Sequence, residues 1–159
     1  MLRMAHEDRH DRIVIIGSDH AGYEAKSHVI DYVRHLGFEV LDLGTHSTAS
    51  VDYPDYGVAV ARALSGRNDA SGIVICGTGI GISIAANKVK GARAALCTTP
   101  FHAEMARKHN NANILAMGAR TTTIPEMEAI IDAWFANSFE GGRHLNRVNK
   151  IHSLTEISR

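Results

Sequence analysis

Short runs rich in Val and Ile alternate along this chain with longer segments whose apolar residues recur every three or four positions. The first pattern suits strands buried on both faces of a parallel sheet, and the second suits helices with one buried face. Ile13 to Gly17 predicts a first strand. A helix from about Gly22 to Leu36 follows, with Ala25, Val29, Val33 and Leu36 on one face, and Gly37 ends it as a C-terminal cap. Phe38 to Leu43 predicts the second strand. Thr45 to Gly57 then reads as a thirteen-residue connection with turn formers and Pro54, before a helix through Val58, Ala61 and Leu64. Loops of that length in compact domains are often functional, which makes Asp52 and Tyr53 candidates for lining a site.

Gly72 to Cys76 predicts a third strand, Gly77 to Gly81 a glycine loop, and Ile80 to Lys88 a helix opening from it. Arg93 to Cys97 and Ala112 to Met117 complete five strands, with helices from about Thr99 to Lys108 and Pro125 to Ala136. The alternation predicts an α/β protein, a Rossmann-like three-layer α/β/α sandwich on a five-stranded parallel sheet. After Gly141 and Gly142, the positions Leu145, Val148, Ile151 and Leu154 form an apolar helical stripe that needs a cover, either its own sheet or a second subunit.

The length of 159 residues fits one domain. Residues 1–12 are charged and histidine-rich and read as a flexible leader, so the expected division is leader 1–12 and a single domain 13–159 with its C-terminal helix. No apolar run approaches the roughly 20 residues of a membrane span. Zero formal net charge leaves no electrostatic footprint for nucleic acid or an anionic membrane, although a local basic cluster can still hold one phosphate. Two cysteines without a CxxC pairing point to a reducing, cytoplasmic setting.

Ligands of open α/β sheets collect beyond the carboxyl ends of the strands, so the residues there carry the candidate chemistry. Asp19 and His20 follow the first strand, an acid-base group beside a phosphate ligand or, equally, a helix cap beside a surface histidine. Gly77, Gly79 and Gly81 let backbone N–H groups approach an anion at the start of a helix. Those dipoles favour a thiolate at Cys76, which sits against the loop, whereas Cys97 has no such setting and reads as structural. Position 82 is Ile, which spoils both a dinucleotide GxGxxG fingerprint and the arginine a cysteine phosphatase would need. No compact His/Cys/Asp set follows a strand, so no metal is expected. His109 and Asn110 close the fourth helix and are expected to join the same cluster; Arg143 and Arg147, four apart, can fork onto a phosphate from one helix face.

Taken together, GSDHAG at Gly17–Gly22, DYPDY at Asp52–Tyr56, ICGTGIGISIAANK at Ile75–Lys88, RKHNNANILAMGAR at Arg107–Arg120 and EGGRHLNRV at Glu140–Val148 closely resemble the type B ribose-5-phosphate isomerase family. That family also includes galactose-6-phosphate isomerase subunits. The resemblance runs from about Ile13 to Ile151. It implies a cofactor-free aldose-ketose isomerase interconverting ribose 5-phosphate and ribulose 5-phosphate through an enediolate. It also implies a homodimer with shared sites, or a tetramer. Carried over by position, it makes Cys76 the base between C2 and C1. Gly77, Gly79, Ile80 and Gly81 form the hole for the enediolate oxygen. His109 opens the sugar ring, helped by Asp19 or Thr78. His20, Arg143 and Arg147 hold the phosphate, and Asn110 and Tyr53 the hydroxyls. Some relatives use a glutamate early in the next helix in place of the cysteine; no acidic residue occurs from Gly77 through Lys88, which favours Cys76. An isomerase of another aldose phosphate (a six-carbon sugar, a tetrose) and a sugar-phosphate-binding module without chemistry are the alternatives.

Overall fold

The structure, a computed structural model, describes residues 11–155, so the leader read from residues 1–12 lies, but for its last two residues, outside the described part. Its elements are β1 (Ile13–Ser18), α1 (Tyr23–His35), β2 (Glu39–Asp42), α2 (Tyr53–Ala63), β3 (Ala70–Cys76), α3 (Ile80–Ala86), β4 (Ala94–Leu96), α4 (Pro100–Asn110), β5 (Ile114–Gly118), α5 (Ile124–Ala136) and α6 (Arg143–Thr155). All strand pairs are parallel and the order is β2-β1-β3-β5-β4, the five-stranded sheet that the alternating pattern predicts.

Strand periodicity divides the interior into two layers. Val14, Ile16, Ile73, Ile75, Leu115 and Met117 face α1, α4 and α5, against Val29, Val33, Ala103, Ile130 and Trp134. Their strand neighbours Ile15, Val74, Cys76, Ile114 and Ala116 face α2 and α3, against Val60, Ala61 and Ile82. Each fully buried Ile or Val contributes about 1.5–3 kcal/mol by leaving water, so both faces of β3 must be covered at once. Trp134, fully buried, also donates its indole N–H to Ser71 Oγ at 3.0 Å, which ties α5 to the amino end of β3.

One expectation is corrected and one open alternative is narrowed. The connection after β2 is shorter than thirteen residues because α2 already begins at Tyr53; Pro54 lies in its first turn, where a missing N–H costs nothing. The apolar stripe of α6 is not covered by its own sheet: the helix packs on α4, buries His144 and Val148, and leaves Leu145, Ile151 and Leu154 exposed.

A buried charge holds the next connection in place. Lys26 in α1 is 1% exposed and its ammonium donates to Asp42 Oδ1 at 2.6 Å, an oxygen that also accepts the Gly44 N–H at 2.9 Å. Ser18 and Gly44 extend the clamp, with Ser18 N–H donating to Gly44 O and Thr45 N–H to Ser18 O. Removing one partner of such a pair strands the other charge. Asp42→Ala is therefore expected to lower the unfolding free energy by about 3 kcal/mol in urea denaturation, and Lys26→Met in the same background to recover most of it.

Candidate active site

β1 connects to β2 on one side and α2 returns to β3 on the other, so the direction in which strands are added to the sheet reverses between β1 and β3. A crevice opens there beyond their carboxyl ends. Ser18 and Ile75 are register partners, which brings Asp19 and Cys76 to neighbouring strand tips. The Asp19 N–H donates to Ile75 O at 3.3 Å.

Cys76 is 4% exposed, and its Sγ accepts the Gly79 N–H at 3.1 Å. That hydrogen bond fixes the sulfur against the loop at the strand tip. Gly79 adopts φ +76°, in the left-handed region, and a Cβ there would meet Leu96 Cδ1 at 2.6 Å and the Met117 carbonyl carbon at 2.8 Å. Only glycine fits at that turn. The carbonyls of Cys76 and Gly77 accept N–H groups from Ala119 and Arg120, which pins the loop to the end of β5. Thr78 is exposed beside it and its Oγ1 accepts the Ile80 N–H at 3.2 Å.

Asp19 is buried and its Oδ1 accepts the Gly22 N–H at 3.1 Å, so it shapes the turn into α1 while standing at the crevice. His20 is half-buried, with Nδ1 3.1 Å from both the N–H and the carbonyl of Val51. Nδ1 is thus occupied by backbone, and Nε2 is the nitrogen left to face a ligand. Tyr53 lies over the first turn of α3: a Cβ on Gly81 would fall 2.6 Å from its ring. One residue escaped the sequence reading. The exposed side chain of Arg120 lies across Gly77, its Nη1 3.1 Å from where a Cβ would be, and it puts a fixed positive charge over the loop. Its signal was its place two residues after β5, the same carboxyl edge that drew attention to the others.

His109 and Asn110 do not join this group. They end α4, which runs back along the sheet, and Asn113 accepts the Gly72 N–H at the amino ends of β3 and β5. The four residue steps from Gly72 to Cys76 alone separate the two edges by about 13 Å. The expectation that all candidates gather at the carboxyl edge fails here because a helix following a parallel strand must return to the other edge before the next strand begins. A second group forms there instead. The ring of His144 stacks on His109 with centroids 4.2 Å apart and planes 12° from parallel. This brings the exposed Arg143 and Arg147 of α6 to the same end of the molecule, and Glu140 stands 4.0 Å from His144 Nε2. Burial, followed by the neighbouring His109 and Arg143, lowers the pKa of His144 from its ordinary value.

The carboxyl-edge group can thus abstract a proton and stabilise an oxyanion, and the amino-edge group can supply an imidazole and two guanidiniums. Among the described residues, one set of three potential metal ligands is close-packed, His109, Glu140 and His144. No helix among them is long and apolar enough to cross a membrane.

A family model described as Ribose/Galactose Isomerase matches residues 14–151. The chain is 43% identical over 143 residues to ribose-5-phosphate isomerase B of Escherichia coli (strain K12), covering 90% of this chain and 96% of that protein. It is 49% identical over 138 residues to a putative sugar phosphate isomerase of Rickettsia bellii, covering 87% and 96%. Among solved structures, ribose-5-phosphate isomerase B of Clostridium thermocellum superposes with a TM-score of 0.86 at 53% identity over 89% of this chain and 96% of that one. The type B enzyme of Trypanosoma brucei gives 0.86 at 45% identity over 91% and 99%.

The two thiols differ in setting. Cys97 is fully buried, and desolvation pushes its thiol up to about 12. In the unfolded chain a thiol ionises near 8.5, so between those values the unfolded state loses its proton first. Stability from this group is complete below about pH 8.5 and falls by roughly 1.4 kcal/mol per pH unit above it. Urea midpoints taken from pH 8 to 11 are expected to drop less steeply in Cys97→Ala than in the parent.

Proposed function

The chain belongs to the ribose/galactose isomerase family, and from that premise we propose that it interconverts ribose 5-phosphate and ribulose 5-phosphate with Cys76 as the carbon base. The observation that carries the residue assignment is the Cys76 Sγ facing the Gly79 N–H at the crevice between β1 and β3. With the sugar opened by His109, the Cys76 thiolate takes the C2 proton and the electron pair moves into an enediolate. The same thiol then returns the proton to C1. Charge that develops on the oxygen meets the N–H groups of the Gly77–Gly81 loop and the Arg120 guanidinium, donors already in place before reaction. A second proton passes between O1 and O2, for which Thr78 and Asp19 are the groups at hand. His20, Arg143 and Arg147 hold the phosphate and Tyr53 and Asn110 the hydroxyls, so binding energy from the unreactive end orients the reacting carbons. All these steps run on side chains and backbone, with no cofactor or metal required.

This mechanism needs both groups of residues at one substrate, yet they lie at opposite edges of one sheet. We read the active unit as a homodimer in which His109, Asn110, Arg143 and Arg147 of one protomer complete the crevice of the other. The uncovered residues Leu145, Ile151 and Leu154 of α6, with Ile80 and Ile84 of α3, supply apolar surface for that contact. A pathway of small phosphorylated sugars in a reducing cytoplasm suits the reading, since both cysteines are free thiols.

Conversion of ribose 5-phosphate, assayed beside allose 6-phosphate, galactose 6-phosphate and tetrose phosphates, tests the substrate; preference for another sugar by orders of magnitude would move the assignment within the family. Cys76→Ala is expected to keep binding of a substrate analogue and lose at least about a hundredfold in kcat, whereas Arg147→Ala should weaken binding of substrate and analogue alike. Cys76→Ala and His109→Ala chains, each inactive alone, should regain about a quarter of parental activity when unfolded and refolded as a 1:1 mixture, because half the dimers then hold one intact site of two. No recovery on mixing would mean that each site is built within one chain.

A further inference from the structure

His109 lies in the last turn of α4, His144 in the first turn of α6, and Glu140 stands four residues before His144 in the connection between α5 and α6. One donor atom from each lies within 4.8 Å of the others. Two histidine nitrogens and a carboxylate oxygen are a donor set that holds zinc with one position left open. The set is held in place by its surroundings: His144 is buried, and the Glu140 N–H donates to Lys108 O at 3.1 Å, one residue before His109. Zinc bonds of about 2.1 Å place tetrahedral donors roughly 3.4 Å apart with their lone pairs converging, so the two rings must leave their parallel stack and tilt toward a common point. That is a side-chain rotation, and the exposed Glu140 carboxylate is free to follow it. Arg143 and Arg147 on the same helix repel a cation, which points to a reversible site of modest affinity rather than a structural one.

We propose that His109, Glu140 and His144 form a binding site for a divalent transition-metal ion such as zinc, and that its occupation switches the enzyme off by taking His109 away from the sugar. The inhibitory half rests on the role given to His109 above, whereas the binding half does not.

Calorimetric titration of zinc chloride into Cys76→Ala protein removes the competing thiolate and reads binding without turnover. About one zinc per chain is expected, with affinity lowered at least about tenfold in Glu140→Gln and in His144→Ala on that background. Glu140 is an exposed residue, so its variant keeps the fold even if loss of the buried His144 does not. Unchanged affinity in Glu140→Gln, or no binding at all, overturns the site. In the parent enzyme zinc should inhibit and a chelator should restore activity, and Glu140→Gln should need about tenfold more zinc for the same inhibition at unchanged basal kcat. Equal zinc sensitivity of the two would place inhibition elsewhere, at Cys76, and overturn the inhibitory half. A protein that isomerises no sugar phosphate but still binds zinc through these residues would sink the function assigned above and leave the metal site standing.

Discussion

The segment from Cys76 to Gly81 has to pass between the ends of β3 and β5 with almost no room on either side. Gly79 presses on Met117 and Leu96, and Gly118 on the other side would bring a Cβ within 2.5 Å of the Thr78 carbonyl carbon. That steric squeeze turns the Gly79 N–H back toward Cys76 and holds the carbonyls of Cys76 and Gly77 against β5. The geometry offered to a substrate is therefore a property of the sheet core. Its donors are held by packing, which is what lets them stabilise a developing charge without first reorganising.

Around this fixed centre the polar residues divide by edge. Those at the carboxyl edge come from strand tips and are held by backbone contacts: His20 by Val51, Asp19 by Gly22, Arg120 by Gly77. Those at the amino edge come from the end of one helix and the beginning of another, and side chains hold them to each other, above all the stacked His109 and His144. The first group is rigid because a sheet is rigid. The second is positioned by one helix-on-helix contact, with much of α6 left open to solvent.

Most of the fold was legible in the sequence because it depends on local periodicity. Val- and Ile-rich runs with helical spacing between them marked every strand and helix, within the fraying of their ends except at the start of α2. The start of α2 was misplaced because Pro54 and its polar neighbours read as a loop, though proline in a first helical turn is compatible with either. The carboxyl-edge residues were legible for a topological reason: any residue directly after a parallel strand falls on that edge. His109 and Asn110 were recognised as candidates but set at the wrong edge, since a residue ending a crossover helix obeys the opposite rule. Arg120 was passed over although its place just after β5 marked it, and the trio with Glu140 and His144 was missed because side-chain approach between distant segments leaves no trace in spacing along the chain.

The indole of Trp134 is the only one in the sequence, fully buried and hydrogen-bonded to Ser71, five residues before Cys76 on the same strand. Its fluorescence is therefore an optical gauge of whether the middle of the sheet is assembled. Set near the amino end of β3, it sits far from the crevice, so ligand arrival and loss of structure separate into different signals. The molecule carries its own internal standard for telling a variant that has lost chemistry from one that has lost its shape.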